Sequence, residues 1–345
     1  MARALATIAT IRSLTPIPGA DAIETARIRG WDVVVKKGEF RAGEPCVYVE
    51  IDSMLDVRRP GFEFLAARGV RTDVEGRTGH RLRTMKLRGQ VSQGLALPVD
   101  AFAELASVGP SDGADVTEIL GVWKWEPPLS ARITGAGYGP LPGWIRKTDE
   151  ERLQNMPGVL AHRDGWVATE KLDGTSLTAW VAPGEERDHG VCMRNHDLRP
   201  DDNNTLWAVV RRHALHDVLR RVVSTSGYVQ GELYGEGVQA NPLKVRGQHV
   251  GVFTVVIDGR RVPRAHWPAE VAALSVPVHD LPFPTSLDEA LAQADSMTSN
   301  VTRGARAEGL VWRNHAEHVD ADGVRYPGSF KVISNRYLLK CRDDA

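Results

Sequence analysis

Cysteine is scarce and scattered. Cys46, Cys192 and Cys341 are the only three, and no two form a C-x-x-C pair. An odd, sparse set gives no disulfide framework and no cysteine zinc module. It fits a reducing compartment, here expected to be the cytoplasm. Long apolar runs are missing as well. No stretch of ~18 apolar residues occurs, so no membrane span is expected. The N-terminus, Met1-Ala2-Arg3-Ala4-Leu5-Ala6-Thr7-Ile8 with Arg12 close behind, has no apolar region long enough for a secretory signal. An excess of one charge is lacking too: 43 Lys+Arg meet 44 Asp+Glu, a net charge of −1. Overall charge therefore gives no sign of nucleic acid, and any basic surface must be local. Internal repeats and low-complexity tracts are absent.

What is there is an ordinary globular composition, 42% hydrophobic and 25% charged, in 345 residues, enough for two domains. Residues 1–105 read as short strands separated by Gly/Pro turns. Leu5 to Thr10 alternate, Trp31-Asp32-Val33-Val34-Val35 leads into a turn at Lys37-Gly38, and Cys46-Val47-Tyr48-Val49-Glu50-Ile51 is β-rich. This predicts a small Greek-key β barrel, for which the OB fold is the natural candidate. Residues 106–147 carry Gly109-Pro110, Pro127-Pro128, Gly135, Gly137-Tyr138-Gly139-Pro140 and Pro142-Gly143, and read as a Gly/Pro-rich linker.

Residues 148–345 mix strands with helices. Thr148-Asp149-Glu150-Glu151 and Ser286-Leu287-Asp288-Glu289 have the form of capping boxes and predict two helix starts. Leu206, Val210, Ala214, Val218 and Val222 recur every four residues, between Asn203-Asn204 and Gly227, and predict one helix. Strands are expected over 167–170, 177–181, 228–233, 250–257 and 310–313.

The chemistry centres on Glu170-Lys171-Leu172-Asp173-Gly174. A lysine closes a β-patterned run, beside two carboxylates and a turn glycine. Free lysine is protonated at neutral pH. It attacks as a neutral amine when cations, a metal or desolvation lower its pKa. Alone, K-x-D-G recurs by chance and fits a surface loop. Here it is followed in order by Arg194-Asn195, Gly231-Glu232-Leu233-Tyr234-Gly235, Phe253, Glu308-Gly309-Leu310-Val311-Trp312 and Ser329-Phe330-Lys331-Val332-Ile333-Ser334-Asn335.

That ordered set resembles the covalent nucleotidyltransferases: RNA and DNA ligases and mRNA-capping guanylyltransferases. The resemblance covers nearly the whole chain and is strongest to the Deinococcus-type ATP-dependent RNA ligases, the fifth RNA ligase family. It includes Arg83-Thr84-Met85-Lys86-Leu87-Arg88-Gly89-Gln90-Val91-Ser92-Gln93-Gly94 and Lys147-Thr148-Asp149-Glu150-Glu151-Arg152-Leu153-Gln154-Asn155. It implies an α+β chain: an N-terminal OB-like β barrel, then a nucleotidyltransferase (ATP-grasp-like ligase) domain of mixed antiparallel sheets with helices.

The resemblance also implies roles. Lys171 is the nucleophile that takes AMP from ATP, and Lys331 a second catalytic lysine at the α-phosphate. Glu170, Lys171, Asp173, Arg194, Glu232, Phe253, Glu308 and Lys331 form the nucleotide site. Within it Arg194 meets the sugar or the incoming phosphate, Glu232 a ribose hydroxyl, and Phe253 the adenine face. Asp173 and Glu308 face a divalent metal, Mg²⁺ or Mn²⁺, with Glu308 acting through water. The chain departs from the family twice. Thr254-Val255 follows Phe253 where the pattern runs Asp-Ile, and Ile333 stands where many relatives have a second lysine, leaving open whether Lys340 takes that place.

In the N-terminal module, Arg77, His80, Arg81, Arg83, Lys86 and Arg88 form the densest basic run, with Gln93 beyond. Arg81, Arg83, Lys86 and Arg88 suit a phosphate backbone; they equally suit a charged sheet edge that resists aggregation. His213/His216 and His315/His318, spaced i, i+3 without ligand partners, read as surface histidines.

The expectation is a monomeric, membrane-free, ATP-dependent RNA ligase. It would seal 3′-hydroxyl/5′-phosphate nicks in duplexes whose 3′-hydroxyl strand is RNA. Two other readings stand beside it: a GTP-using capping-type guanylyltransferase, in which the OB module normally follows the transferase domain, and a degenerate nucleic-acid end-binding protein, against which the intact Lys171, Asp173, Glu232, Glu308 and Lys331 argue. All of the nucleotidyl motifs lie after residue 165, so the nucleotide pocket is expected to assemble without the N-terminal module.

Overall fold

The computed structural model describes residues 3–73, 75–109, 111–126, 131–147, 149–314, 318–319, 325–326 and 328–340. The N-terminal module is built on the strand Ala6–Pro16. Its first half pairs with Pro45–Val49 and its second with Ile23–Ile28, and the register shifts between Ile11 and Ser13. A bulge of this kind bends a strand and sharpens its twist. The five-stranded antiparallel sheet, in the order 95–98, 45–49, 6–16, 23–28, 31–36, curls into a half-barrel. Period-two alternation feeds a core on each face: Ile8, Val47, Val49, Leu55 and Phe62 on one, Ile11, Ile28, Trp31, Val33 and Tyr48 on the other.

The Gly/Pro-rich stretch 106–147 packs onto both modules. Val116, Leu120 and Val122 enter the N-terminal core, and Thr117 Oγ1 accepts from the backbone N–H groups of Leu5 and Ala6 at 2.9 and 3.1 Å. Trp123–Lys124 pairs with Ser53–Leu55, whereas Gly137–Pro140 is an edge strand of the C-terminal sheet. Of the quoted punctuation, Pro110, Pro127 and Pro128 lie outside the described residues.

The C-terminal domain has two antiparallel sheets. A seven-stranded sheet runs 137–140, 196–198, 189–192, 175–181, 227–235, 248–257, 260–261, and a four-stranded one runs 278–279, 167–171, 309–313, 329–333. All five strand expectations are met within one to two residues. Lys171 ends a strand of the small sheet and Thr175 begins one of the large, so the K-x-D-G turn is the crossing between them. The crossing demands glycine: a Cβ at Gly174 would lie 2.1 Å from the Leu233 carbonyl oxygen.

Helix Leu287–Ser296 starts where expected, with Ser286 Oγ accepting from Glu289 N–H at 3.1 Å. The other two helix expectations need correction. The stretch after Asn204 is two helices, Thr205–Arg212 and Leu215–Arg220, because Ala214 is left-handed with φ of 47°. Breaking the helix there lets Leu206, Val209 and Val210, then Leu215, Val218 and Leu219, all face one core, while Val222 stays exposed. The capping-box pattern at 148–151 starts no α-helix; the turns Leu153–Asn155 and Pro157–Ala161 follow instead. Thr148 itself lies outside the described residues. No described helix is long and apolar enough to cross a membrane.

Ala214→Gly is expected to raise stability by a few tenths to about 1 kcal/mol. A left-handed non-glycine residue costs roughly 1–2 kcal/mol, and glycine's added unfolded-state freedom returns part of that gain. Urea unfolding checks the direction through the shift of the midpoint.

Candidate active site

A cleft of about 790 Å³ opens where the two C-terminal sheets meet the N-terminal module. Strand register brings its central residues together. Lys171 pairs with Gly309, placing Glu308 beside it, and Val311 pairs with Lys331 on the next strand. Lys171 Nζ donates to Glu308 Oε2 at 2.7 Å. Glu232 enters from the large sheet, opposite Ser176. Phe253 enters because of a bulge: Gln230 pairs with Thr254 and Gly231 with Val252, which leaves Phe253 unpaired and turned toward the cleft. The Arg313 guanidinium lies 4.9 Å from the centre of its ring.

The end around Lys171 is acidic. Burial alone would lower the Lys171 pKa, but Glu308, Glu232 and Asp173 outweigh it, and the pKa ends above its ordinary value. Burial, with Glu308 and Asp173 nearby, pushes Glu232 up to about 8 against the pull of Lys171. Burial likewise raises Glu308, again opposed by Lys171. These carboxylates crowd a single lysine, and a divalent cation would relieve that crowding. Among the described residues no three His, Cys, Asp or Glu side chains converge into a cage. The donor set therefore fits an ion that keeps part of its water and shares phosphate oxygens.

The opposite end is basic and organised by Asp149. Its carboxylate accepts from Arg194 at 2.7 Å, Lys124 at 3.1 Å and Lys331 at 3.3 Å. Burial would raise the Asp149 pKa, but Lys331, Lys124 and Arg194 hold it far below the usual carboxylate range. Lys331 is depressed to about 7, first by burial and then by Arg3, Arg152 and Lys124, with Asp149 opposing. Arg152 is 3% exposed and reaches Asp52 at 3.4 Å, and its Nε and Nη1 have no hydrogen-bond partner among the described residues. Buried donors without partners at a cleft wall suit an anionic ligand.

The cleft thus gathers Lys171, Asp173, Arg194, Glu232, Phe253, Glu308 and Lys331. Glu170 borders it too, but its carboxylate is occupied elsewhere, by Ser299 Oγ at 2.5 Å, the Asn300 N–H at 2.8 Å and His279 Nε2 at 3.3 Å. Ile333 borders the cleft, whereas Lys340 is exposed and does not. Of the basic run, Arg81 lines the cleft, paired with Asp52 at 2.9 Å; Arg83, Lys86 and Arg88 are exposed outside it. His216 is partly buried, facing the Gly190 carbonyl at 3.0 Å, and burial lowers its pKa to about 4. His315 lies outside the described residues, as does Cys341.

Sequence reasoning missed Lys124, Asp149, Arg152 and the N-terminal Arg3 and Asp52 as cleft residues. The pocket is not the C-terminal domain's alone, because the N-terminal module supplies one wall. The signal lay in Asp149-Glu150-Glu151-Arg152, whose helix-cap pattern hid its use as ion partners. Glu150 pairs with Arg313 at 2.6 Å, and Glu151 accepts from Asn155 at 2.8 Å.

A family model described as an OB-fold domain matches residues 5–99, and one described as RNA ligase matches residues 164–333. No curated protein sequence matches the chain. Among solved structures, an aspartate-to-alanine mutant of Naegleria gruberi RNA ligase without ligand superposes with a TM-score of 0.84 at 39% identity, covering 97% of each chain. The same enzyme with pyrophosphate gives 0.84 at 39% identity and 98% of each chain. A lysine-to-alanine mutant with ATP and manganese gives 0.83 at 38% identity, over 97% of this chain and 98% of that one. With that identity over nearly its whole length, and an OB-fold domain ahead of the matched ligase segment, this chain belongs to the RNA ligase family of covalent nucleotidyltransferases.

Proposed function

We propose that this chain is an ATP-dependent RNA ligase that seals 3′-hydroxyl/5′-phosphate nicks in duplexes with an RNA 3′-hydroxyl strand. The division of the cleft carries the reading: an acidic end around the nucleophile and a basic end around Asp149. The Naegleria enzyme holds ATP and manganese, which supports ATP and a divalent metal here. Lys171 nitrogen attacks the α-phosphorus, an N–P bond forms, and the P–O bond to pyrophosphate breaks. A 5′-phosphate oxygen then attacks the same phosphorus, breaking the N–P bond and returning the lysine. Last, a 3′-hydroxyl attacks the activated 5′-phosphoryl group, loses its proton and expels AMP.

The residues divide the work. Phe253 offers a ring face to the base and Glu232 an acceptor to a ribose hydroxyl. Arg194, Lys331, Lys124 and Arg152 hold phosphate oxygens by charge-assisted hydrogen bonds. Asp173 and Glu308 would hold the metal, which supplies charge neutralisation at the α-phosphate and cancels the field that keeps Lys171 protonated. Both ends of the cleft come from one copy, which supports action as a monomer. The buried free thiols of Cys46 and Cys192 support a reducing, cytoplasmic setting.

α-Labelled ATP is expected to leave a covalent label on the denatured protein; α-labelled GTP is not, and Lys171→Ala is expected to take none. Label from GTP alone would make the chain a guanylyltransferase, and label on the alanine variant would place the nucleophile elsewhere.

Asp149→Asn removes the anion that three cations share. The free protein should melt at a lower temperature than wild type, and saturating ATP should raise its melting temperature by more, because phosphates replace the missing charge. Equal ATP shifts in the two proteins would mean that the phosphates do not reach this cluster.

Lys86→Glu with Arg88→Glu reverses two exposed charges on the hairpin formed by Met85–Leu87 and Gln90–Ser92. Binding to a nicked duplex should weaken and its salt dependence flatten, with covalent adenylation unchanged. Unaltered salt dependence in a binding titration would remove this hairpin from the nucleic-acid path.

A further inference from the structure

The helix Asn335–Lys340 follows directly on the strand that carries Lys331. Two adjacent residues of this helix reach in different directions. Tyr337 Oη donates to Asp173 Oδ2 at 2.6 Å. Leu338 packs against the N-terminal core that contains Ile11, Ile28, Trp31 and Tyr48. The start of the helix is fixed at several points. Ser334 Oγ accepts from the Tyr337 N–H at 3.1 Å and donates to Asp295 Oδ1 at 2.7 Å. The same Asp295 oxygen accepts from the Arg336 N–H at 3.1 Å. The Ser334 N–H donates to the Glu308 carbonyl at 2.9 Å, tying the helix to the other acidic residue of the nucleophile's surroundings.

We propose that Tyr337 is a positioning residue for the adenylation chemistry: its hydroxyl orients the Asp173 carboxylate, and Leu338 makes that orientation depend on the docked N-terminal module. This rests on the reading that Asp173 acts at the metal end of the cleft. Asp173 sits in the turn between the two sheets, and its carboxylate accepts the Tyr337 hydroxyl through one oxygen while the other remains available. The tyrosine bond holds one oxygen and so narrows the directions in which the other can point. A hydrogen bond to a charged group is also directional, so a small helix displacement alters the carboxylate's aim. The N-terminal module thereby acts on the nucleophile's surroundings through one side chain, beyond lending a wall to the cleft.

The test uses the full chain. Tyr337→Phe removes the hydroxyl and leaves the ring's packing. It is expected to slow lysyl-AMP formation about tenfold, the scale of one hydrogen bond to a charged group, and to raise the metal concentration for half-maximal rate several-fold. A second readout does not depend on turnover. In the Lys171→Ala background with ATP, Mn²⁺ binding followed by electron paramagnetic resonance should weaken on adding Tyr337→Phe. Asp173→Ala combined with Tyr337→Phe should be no slower than Asp173→Ala alone, since both act through one carboxylate. Leu338→Ala should shift the metal requirement in the same direction, and Leu338→Met should restore it. Wild-type metal binding in Tyr337→Phe beside a defective Asp173→Ala would overturn the proposal alone, as would additive losses in the double variant. Full activity in Asp173→Ala would overturn the reading beneath it as well.

Discussion

The cleft depends on a polar seam between the N-terminal module and the segment 149–155. Glu50 is buried there with Arg3 and Asn155, the latter donating to it at 2.5 Å. Trp31 Nε1 donates to Asn155 Oδ1 at 2.6 Å, and the Arg152 guanidinium lies 5.7 Å from the centre of the Trp31 ring. The backbone closes the same seam, with Gly30 N–H donating to the Gln154 carbonyl at 2.9 Å, while on its other side the segment is tied to the C-terminal sheet by Lys331 N–H donating to the Glu151 carbonyl at 2.8 Å. Buried ion pairs add little net stability, but removing one partner costs about 3–5 kcal/mol. A seam of this kind therefore specifies one relative placement of the modules rather than merely favouring contact. The same segment touches the strand of Lys331 and carries Asp149 and Arg152, so that placement also sets the basic end of the cleft.

Charge in the free protein is arranged for a nucleotide that has yet to arrive. Lys171 is held protonated by its carboxylates, a state in which an amine is no nucleophile, so the attack proposed for it requires that this field be offset. Lys331, depressed to about 7, shares the Asp149 carboxylate with Arg194 and Lys124 and lies close to Arg3 and Arg152. A polyphosphate would complete the second group and a divalent cation would offset the first. Each ligand improves the setting for the other, since cations near the α-phosphate and neutralised carboxylates both favour the free amine.

The strands were legible because alternation is a local property. Val167–Lys171 and Gly227–Gly235 carry their pattern whatever surrounds them. Asn204 and Ser286 were legible as caps for the same reason, since a cap is made within three residues. What failed was longer in range. The four-residue spacing through Ala214 is shared by one long helix and by two short ones meeting at a left-handed residue, and only the core decides between them. Asp149 to Arg152 spell a cap, yet the side chains of Asp149, Glu150 and Arg152 are claimed by partners distant in sequence. Glu170 could not be separated from its neighbours by motif alone, because its carboxylate is spent on Ser299 and Asn300. The motif residues that the cleft gathers were legible by their order along the chain; their electrostatic partners have no such order.

The two departures from the family pattern carry different weight once placed. Thr254 is buried opposite Gln230 and does not border the cleft, so the exchange at that position leaves the nucleotide's surroundings untouched. Ile333 does border it, and so removes a charge from the site itself. Lys340 is exposed at the end of a helix whose preceding turn is tied to Asp173 and to the N-terminal core, so bringing it into the cleft would break the contacts of Tyr337 and Leu338. The basic end therefore rests on Lys331 together with Lys124, Arg152 and Arg194. Lys124 follows the N-terminal barrel, and Arg152 is held by Asp52 of that barrel. The positive charge of the cleft is thus held by residues of both the N-terminal and the C-terminal parts of the chain, and their docking sets its arrangement.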